Sequence, residues 1–211
     1  MAAALALGSG ATLALTHAGA FGAAKAETVA KAEAPAGEVK LIADGNATYS
    51  TDYPLNGNQH ASVCESLYPA SLLDEAIGYD NYTITEAILT LDTHYGVAKG
   101  STQIQLYMAT TGLESLTLAD KLSEGDMTLV ADYTLDYSAL NIDAATETAE
   151  VAIPLDTPFA VNSGESIVIG FKGQPIVTGS GYTCWKRHYF EDNSQPFSIY
   201  NTNSTSFDCA F

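Results

Sequence analysis

The sequence predicts an all-β fold: an antiparallel β-sandwich, jelly-roll-like, preceded by an Ala-rich signal and spacer segment. Three observations predict it. From residue 38 onward apolar residues recur with a period near two. Gly, Asn, Asp or Ser separates nearly every pair of apolar runs. No long amphipathic helical pattern is interleaved among them, and many short strands at this spacing argue a sandwich.

The elements follow in order. EVKLIA (38–43) and HASVCES (60–66) read as short strands, and ASLLDEA (70–76) as a single helical turn or loop at most. YTITEAILTLDT (82–93) is a strong strand with Ile84, Ala87, Leu89 and Leu91 mostly alternating and an irregularity near Glu86. TQIQLYMAT (102–110), after a Lys99-Gly100 turn, sets Ile104, Leu106 and Met108 on one face and Gln103, Gln105 and Tyr107 on the other. TGLESLTLADKLSEGD breaks the pattern as the longest irregular insertion, with room for a short helix. MTLVADYTLD (127–136), TAEVAIPLD (148–156), SIVIGF (166–171), YTCWKRHYF (182–190) and PFSIYN (196–201) return to strand, with a last candidate at 206–210.

One stretch needs its own account. VAIPLDTPFAVNSGESIVIGF (151–171) alternates like a strand yet carries Pro154 and Pro158. Proline cannot donate a ladder hydrogen bond, so the prolines place this strand at an edge or a bulge. Val151, Ile153 and Leu155 point one way; Ala152, Pro154 and Asp156 point the other, where Asp156 discourages edge-to-edge pairing. Pro158 turns the chain so that Phe159 and Val161 re-enter the core, NSGE makes a turn, and SIVIGF has the apolar density of a buried central strand.

The chain has 211 residues, with 8 Lys and Arg against 25 Asp and Glu, for a formal charge of −17. That field repels phosphate backbones and anionic bilayers, which argues against nucleic acid or membrane-surface partners. Residues 1–26 resemble a secretory signal peptide: AAALALGSGATLALTHAGA is uncharged and ends in small residues, with candidate cleavage after Ala20 or Ala26, although a basic leader is missing. Residues 27–37 read as a spacer ending at Pro35 and Gly37, and 38–211 as the β-sandwich domain. The expected location is secreted or cell-surface, with no membrane insertion of the mature domain. Of Cys64, Cys184 and Cys209, the last two bracket the final segment and form the favoured disulfide. Closing that loop would contribute about 3 kcal/mol.

VAIPLDTPFAVNSGESIVIGF resembles a signature of extracellular β-sandwich modules in secreted and surface proteins of Bacteroidetes. STDYPLNGNQHASVCESLYPASLL, TITEAILTLDTHYG, TQIQLYMATTGLESL and LVADYTLDY resemble the strands around it, so the likeness spans residues 48–200. It implies a jelly-roll or galactose-binding-like accessory or adhesive module, generally non-catalytic, with no catalytic residues to carry over. NIDAATETAE (141–150) departs from the family in being long and acidic.

The most unusual local composition is GYTCWKRHYF, which holds the only Trp and the only Arg of the chain. Tyr182, Trp185, Arg187 and Tyr189 are the candidate ligand-binding residues, with Tyr79 or Tyr82 joining them if those loops share an end. Aromatic rings stack on the apolar face of a sugar, while charged donors bind hydroxyls or anions. The competing reading packs Trp185 in the core, as a lone Trp often does in β-sandwiches. YDNYT (79–83) and FEDNS (190–194) could offer oxygen ligands to a structural calcium, but neither has EF-hand spacing and turn chemistry accounts for both. His94 lies near Asp92 in sequence without a catalytic motif around it. The expectation is therefore a non-catalytic binding or adhesion module with no cofactor. It would bind a glycan by aromatic stacking or, alternatively, serve as a structural or protein-interaction spacer in a surface assembly. A hydrolase is the third and weakest reading.

Overall fold

A computed structural model describes residues 3–7, 38–42, 48–51, 54–56, 61–78, 80–94, 96–175, 184–188 and 198–203. The strands are β1 (Ala3–Leu7), β2 (Glu38–Ile42), β3 (Thr48–Thr51), β4 (Ala61–Tyr68), β5 (Asn81–Asp92) and β6 (Ser101–Thr111). They continue as β7 (Thr128–Asp136), β8 (Thr148–Asn162), β9 (Ser166–Pro175), β10 (Cys184–His188) and β11 (Ser198–Asn203). The helix α1 (Ala70–Ile77) and two single 3-10 turns complete the described elements. The candidate strand at 206–210 and much of residues 1–37 lie outside the described residues.

All pairing is antiparallel and divides into two sheets. In the first, β8 runs along one side of β5, while β1 and β10 share its other side, flanked in turn by β2 and β3. The second runs β11-β4-β9-β6-β7. Their inner faces meet in one apolar core: Ile84, Ala87, Leu89 and Leu91 of β5 and Val151 and Ile153 of β8 oppose Ile104, Leu106 and Met108 of β6 and Ile169 and Phe171 of β9. This sandwich of antiparallel sheets is the all-β architecture that the period-two pattern requires.

The irregularity expected near Glu86 is a bulge at Thr85. The register passes from Ile84 opposite Phe159 to Glu86 opposite Pro154, so Thr85 alone intervenes on β5 and Leu155–Pro158 intervene on β8. The extra residue resets the parity of β5, which buries Tyr82 and Ile84 before it and Ala87, Leu89 and Leu91 after it. Pro154 and Pro158 lie at and within this bulge on a strand that, among the described residues, pairs only with β5, so both conditions that tolerate proline hold. Asp156, in the same bulge, reaches across to the other sheet and accepts from Asp132 N–H on β7 at 3.1 Å. A carboxylate thereby occupies a backbone donor of the other edge strand.

Two elements differ from expectation. ASLLDEAI is a helix of 8 residues rather than a single turn. Its Leu73 and Ile77, four apart, enter the core together, Ser166 Oγ accepts from Ala70 N–H at 2.9 Å, and Gly78 ends it at φ 76°. Ala3–Leu7, expected within a signal segment, forms β1 between β2 and β5. Alternation alone could not reveal this strand, because its sequence of Ala and Leu has no polar face.

The irregular insertion is a strap, residues 112–127, lying over the outer face of the second sheet. Leu113, Leu116, Leu122 and Met127 pack there on Val63, Leu67, Tyr107, Ala109 and Val168, forming a second, smaller core. Strand β4 is consequently buried on both faces along its whole length.

Pro54, Leu55 and Asn56 are buried as well, and Leu55 fits against Gly173 of β9. A Cβ at Gly173 would lie 2.6 Å from Leu55 Cδ2 and 3.2 Å from Ser62 Oγ. Gly173→Ala is therefore expected to destabilise the domain by about 1–3 kcal/mol through overpacking. Denaturant unfolding checks this, and Leu55→Ala in the same background should recover part of the loss.

Candidate functional site

Strand β10 carries the residues singled out in the sequence, and its register decides what they can do. Cys184 and Trp185 pair with Asp92 and Leu91 of β5, and Trp185–His188 pair with Thr51–Thr48 of β3. Leu91 faces the core, so its cross-strand partner Trp185 does too. The indole is 1% exposed, and Nε1–H donates to Leu55 O at 2.9 Å. Of the two readings of Trp185, a stacking face or a packed ring, the geometry is that of a packed ring: it is enclosed between the sheets and its one polar atom is committed to the backbone.

Of the other ligand-binding candidates, only Arg187 and Tyr82 are among the described residues. Arg187 takes its place opposite Tyr49 in the β10–β3 ladder. Tyr182, Tyr189 and Tyr79 lie outside the described residues, as do Cys209 and with it the expected Cys184–Cys209 pairing, and the loop 190–194. Tyr82 is at the opposite end of β5 from the β10 contact at Leu91, about nine residues or ~30 Å along the strand. It is buried, its hydroxyl has no hydrogen-bond partner among the described residues, and burial together with Asp74 and Glu165 pushes its phenol far above the usual range. It does not join a surface with β10.

What the fold does assemble at the end of β5 is a polar cluster spanning three segments. Asp92 is buried, and its two carboxylate oxygens divide their roles. Oδ1 accepts from His94 N–H at 2.9 Å, holding the turn that leaves β5, and Oδ2 receives Lys186 Nζ of β10 at 2.9 Å. A buried carboxylate needs such partners, and Lys186 supplies the countercharge. The His94 ring then reaches the β7–β8 turn, with Nδ1 2.8 Å from Glu147 Oε2. Glu147 O accepts from Thr93 N–H at 2.8 Å, so backbone and side chain of one residue tie the two turns together.

Glu147 holds φ 53°, the only positive φ outside glycine among the described residues. It closes the hairpin turn in which Asp143 and Thr148 exchange backbone hydrogen bonds, a place where glycine or asparagine is usual. The glutamate keeps this conformation while anchoring Thr93 and His94. Sequence reading noted NIDAATETAE as long and acidic but did not single out Glu147; its signal was an αL turn position without Gly or Asn.

Chemically, this end of the sandwich presents an exposed His94–Glu147 pair above the buried Asp92 and its partly exposed partner Lys186. Among the described residues no three His, Cys, Asp or Glu side chains converge in a metal-binding group. No helix among them is long and apolar enough to cross a membrane.

Removing the unfavourable φ should outweigh a side-chain contact whose two partners are 60% and 59% exposed. Glu147→Gly is expected to raise stability by up to about 1 kcal/mol, whereas Glu147→Gln, which keeps the strained backbone, leaves it nearly unchanged. Thermal unfolding of the two variants side by side tests this; a drop in Tm for the glycine variant contradicts it. No protein-family model matches the chain, and no curated protein or solved structure matches it either.

Proposed function

We propose that the chain is an exported, non-catalytic module, secreted or held at a cell surface, that acts as a structural or protein-interaction domain. The observation that carries this reading is the burial of Trp185. The residue best suited to grip a ligand is a pillar of the core, hydrogen-bonded to Leu55 O. Its neighbour Lys186 likewise holds the buried Asp92.

Two further features support the reading. The likeness of residues 48–200 to extracellular modules of Bacteroidetes favours export and an accessory or adhesive role. A formal charge of −17 keeps such a domain soluble and selects protein partners with basic or neutral faces. Glycan binding by stacking on Trp185 loses its platform, so contacts made by loops and sheet edges carry the interaction.

The test separates a core tryptophan from a binding one. Trp185→Ala is expected to lower stability by about 3–5 kcal/mol. Trp185→Phe, which strands the Leu55 carbonyl, costs about 1–3 kcal/mol. Wild-type fluorescence should be blue-shifted and resist aqueous quenchers. A glycan array on folded protein should be silent. Glycan binding abolished by Trp185→Phe at unchanged Tm would overturn the proposal, and turnover in glycosidase or esterase screens would overturn its non-catalytic part.

A further inference from the structure

The outer face of the second sheet holds a buried acid that the proposed function does not use. Glu65 lies on the outward side of β4, between Val63 and Leu67, and is 2% exposed beneath the strap. Its Oε2 accepts from Leu122 N–H of the strap at 3.0 Å. On either side of this bond the strap is pegged by Leu116 and Met127, and further along Glu124 binds Lys172 Nζ of β9 at 2.6 Å and receives Tyr107 O–H of β6 at 3.4 Å. A carboxylate is an expensive choice for a position surrounded by Val, Leu and backbone, where an apolar residue would pack without desolvating a charge.

We propose that Glu65 makes the strap 112–127 a pH-responsive cover, seated firmly over the second sheet in mild acid and loosened as the medium becomes neutral. The direction follows from burial. With the strap seated, Glu65 loses water, and its affinity for a proton rises above the ordinary value of 4.5; the Leu122 N–H bond and the Lys121 charge oppose this only in part. With the strap lifted, the carboxylate is hydrated and ordinary. The seated state therefore binds the proton more tightly. Its advantage is complete below 4.5 and is lost as pH rises through the seated-state value.

The neighbouring groups act in other windows or on other partners. Asp126 is held below 3.8 by its bonds to Ser123, and both partners lie within the strap, so its titration acts on the turn and not on the contact with the sheet. Tyr107 titrates above 10.0. Lys121 and Glu124 come from the strap and Lys172 from β9, and the last two engage each other. β11 presents Ile199, which does not titrate, opposite Glu65.

Amide hydrogen exchange of the full chain, read by mass spectrometry and converted to protection factors from about pH 4 to about pH 8, tests the proposal. Amides of 112–127 are expected to lose protection severalfold across that range relative to amides of β9. In Glu65→Gln, which keeps an acceptor for Leu122 N–H without the charge, protection should stay at its acid level. In Glu124→Gln the pH-dependent loosening should persist. Strap protection that is flat or increases with pH in the wild type overturns the proposal, as does a Glu65→Gln profile that follows the wild type. If Glu65→Gln does not fold, the wild-type slope against the β9 reference still decides.

Discussion

The architecture hangs on β5 and the requirement that every backbone group of a buried strand be paired. β5 has β8 along one side, and β1 and β10 sharing the other, so it is the strand through which the rest of the first sheet is joined. Its side chains must at the same time deliver an apolar face to the opposing sheet, and twelve residues of unbroken alternation would not do so with this sequence. The bulge at Thr85 reconciles the two demands. By shifting parity once, it keeps Ile84 and Leu89 on the same face, and it is matched by the larger excursion of β8 that accommodates Pro158 and sends Asp156 to β7.

The closing of the sandwich near β10 follows from that arrangement. Because Trp185 is opposite Leu91, its indole enters the interior and takes Leu55 O as a partner. Leu55 in turn occupies the space that Gly173 leaves without a side chain. Asp92, one residue beyond Leu91, falls on the other face, where Lys186 and the His94 amide neutralise it. Apolar filling inside and charge compensation outside are thus alternate residues of the same two paired strands.

The second sheet is organised differently, because its outer face is also covered. The strap turns β4 into a strand buried on both sides and encloses Glu65, which accepts from Leu122 N–H. The domain thereby combines a two-sheet core with a smaller, separately packed layer. The polar contacts divide likewise: the Asp92–Lys186 and His94–Glu147 pairs tie strand ends, whereas Glu124–Lys172 ties the strap to the outer face of the second sheet.

Much of the fold was legible in the sequence, because a half-buried strand writes its environment into alternate residues. The run 102–110 announced which of its faces was inward, Pro154 and Pro158 announced an edge and a bulge, and the departure near Glu86 announced broken register. Where the pattern lacked contrast, it was silent: Ala3–Leu7 has no polar face, and the strap alternates with no period because its pegs follow the contours of another surface. The candidate site was legible only as composition. Trp185 was a visible residue, but core or surface depended on whether its cross-strand partner was Leu91 or Asp92, a choice of one residue in register between segments more than ninety positions apart. Local sequence by itself determined the all-β class, the strands with contrasting faces and the acidic surface. Only the tertiary structure decided that the tryptophan is enclosed, that Asp92 meets Lys186 and that Glu65 is covered, because burial belongs to pairs of distant segments and no single segment encodes its partner.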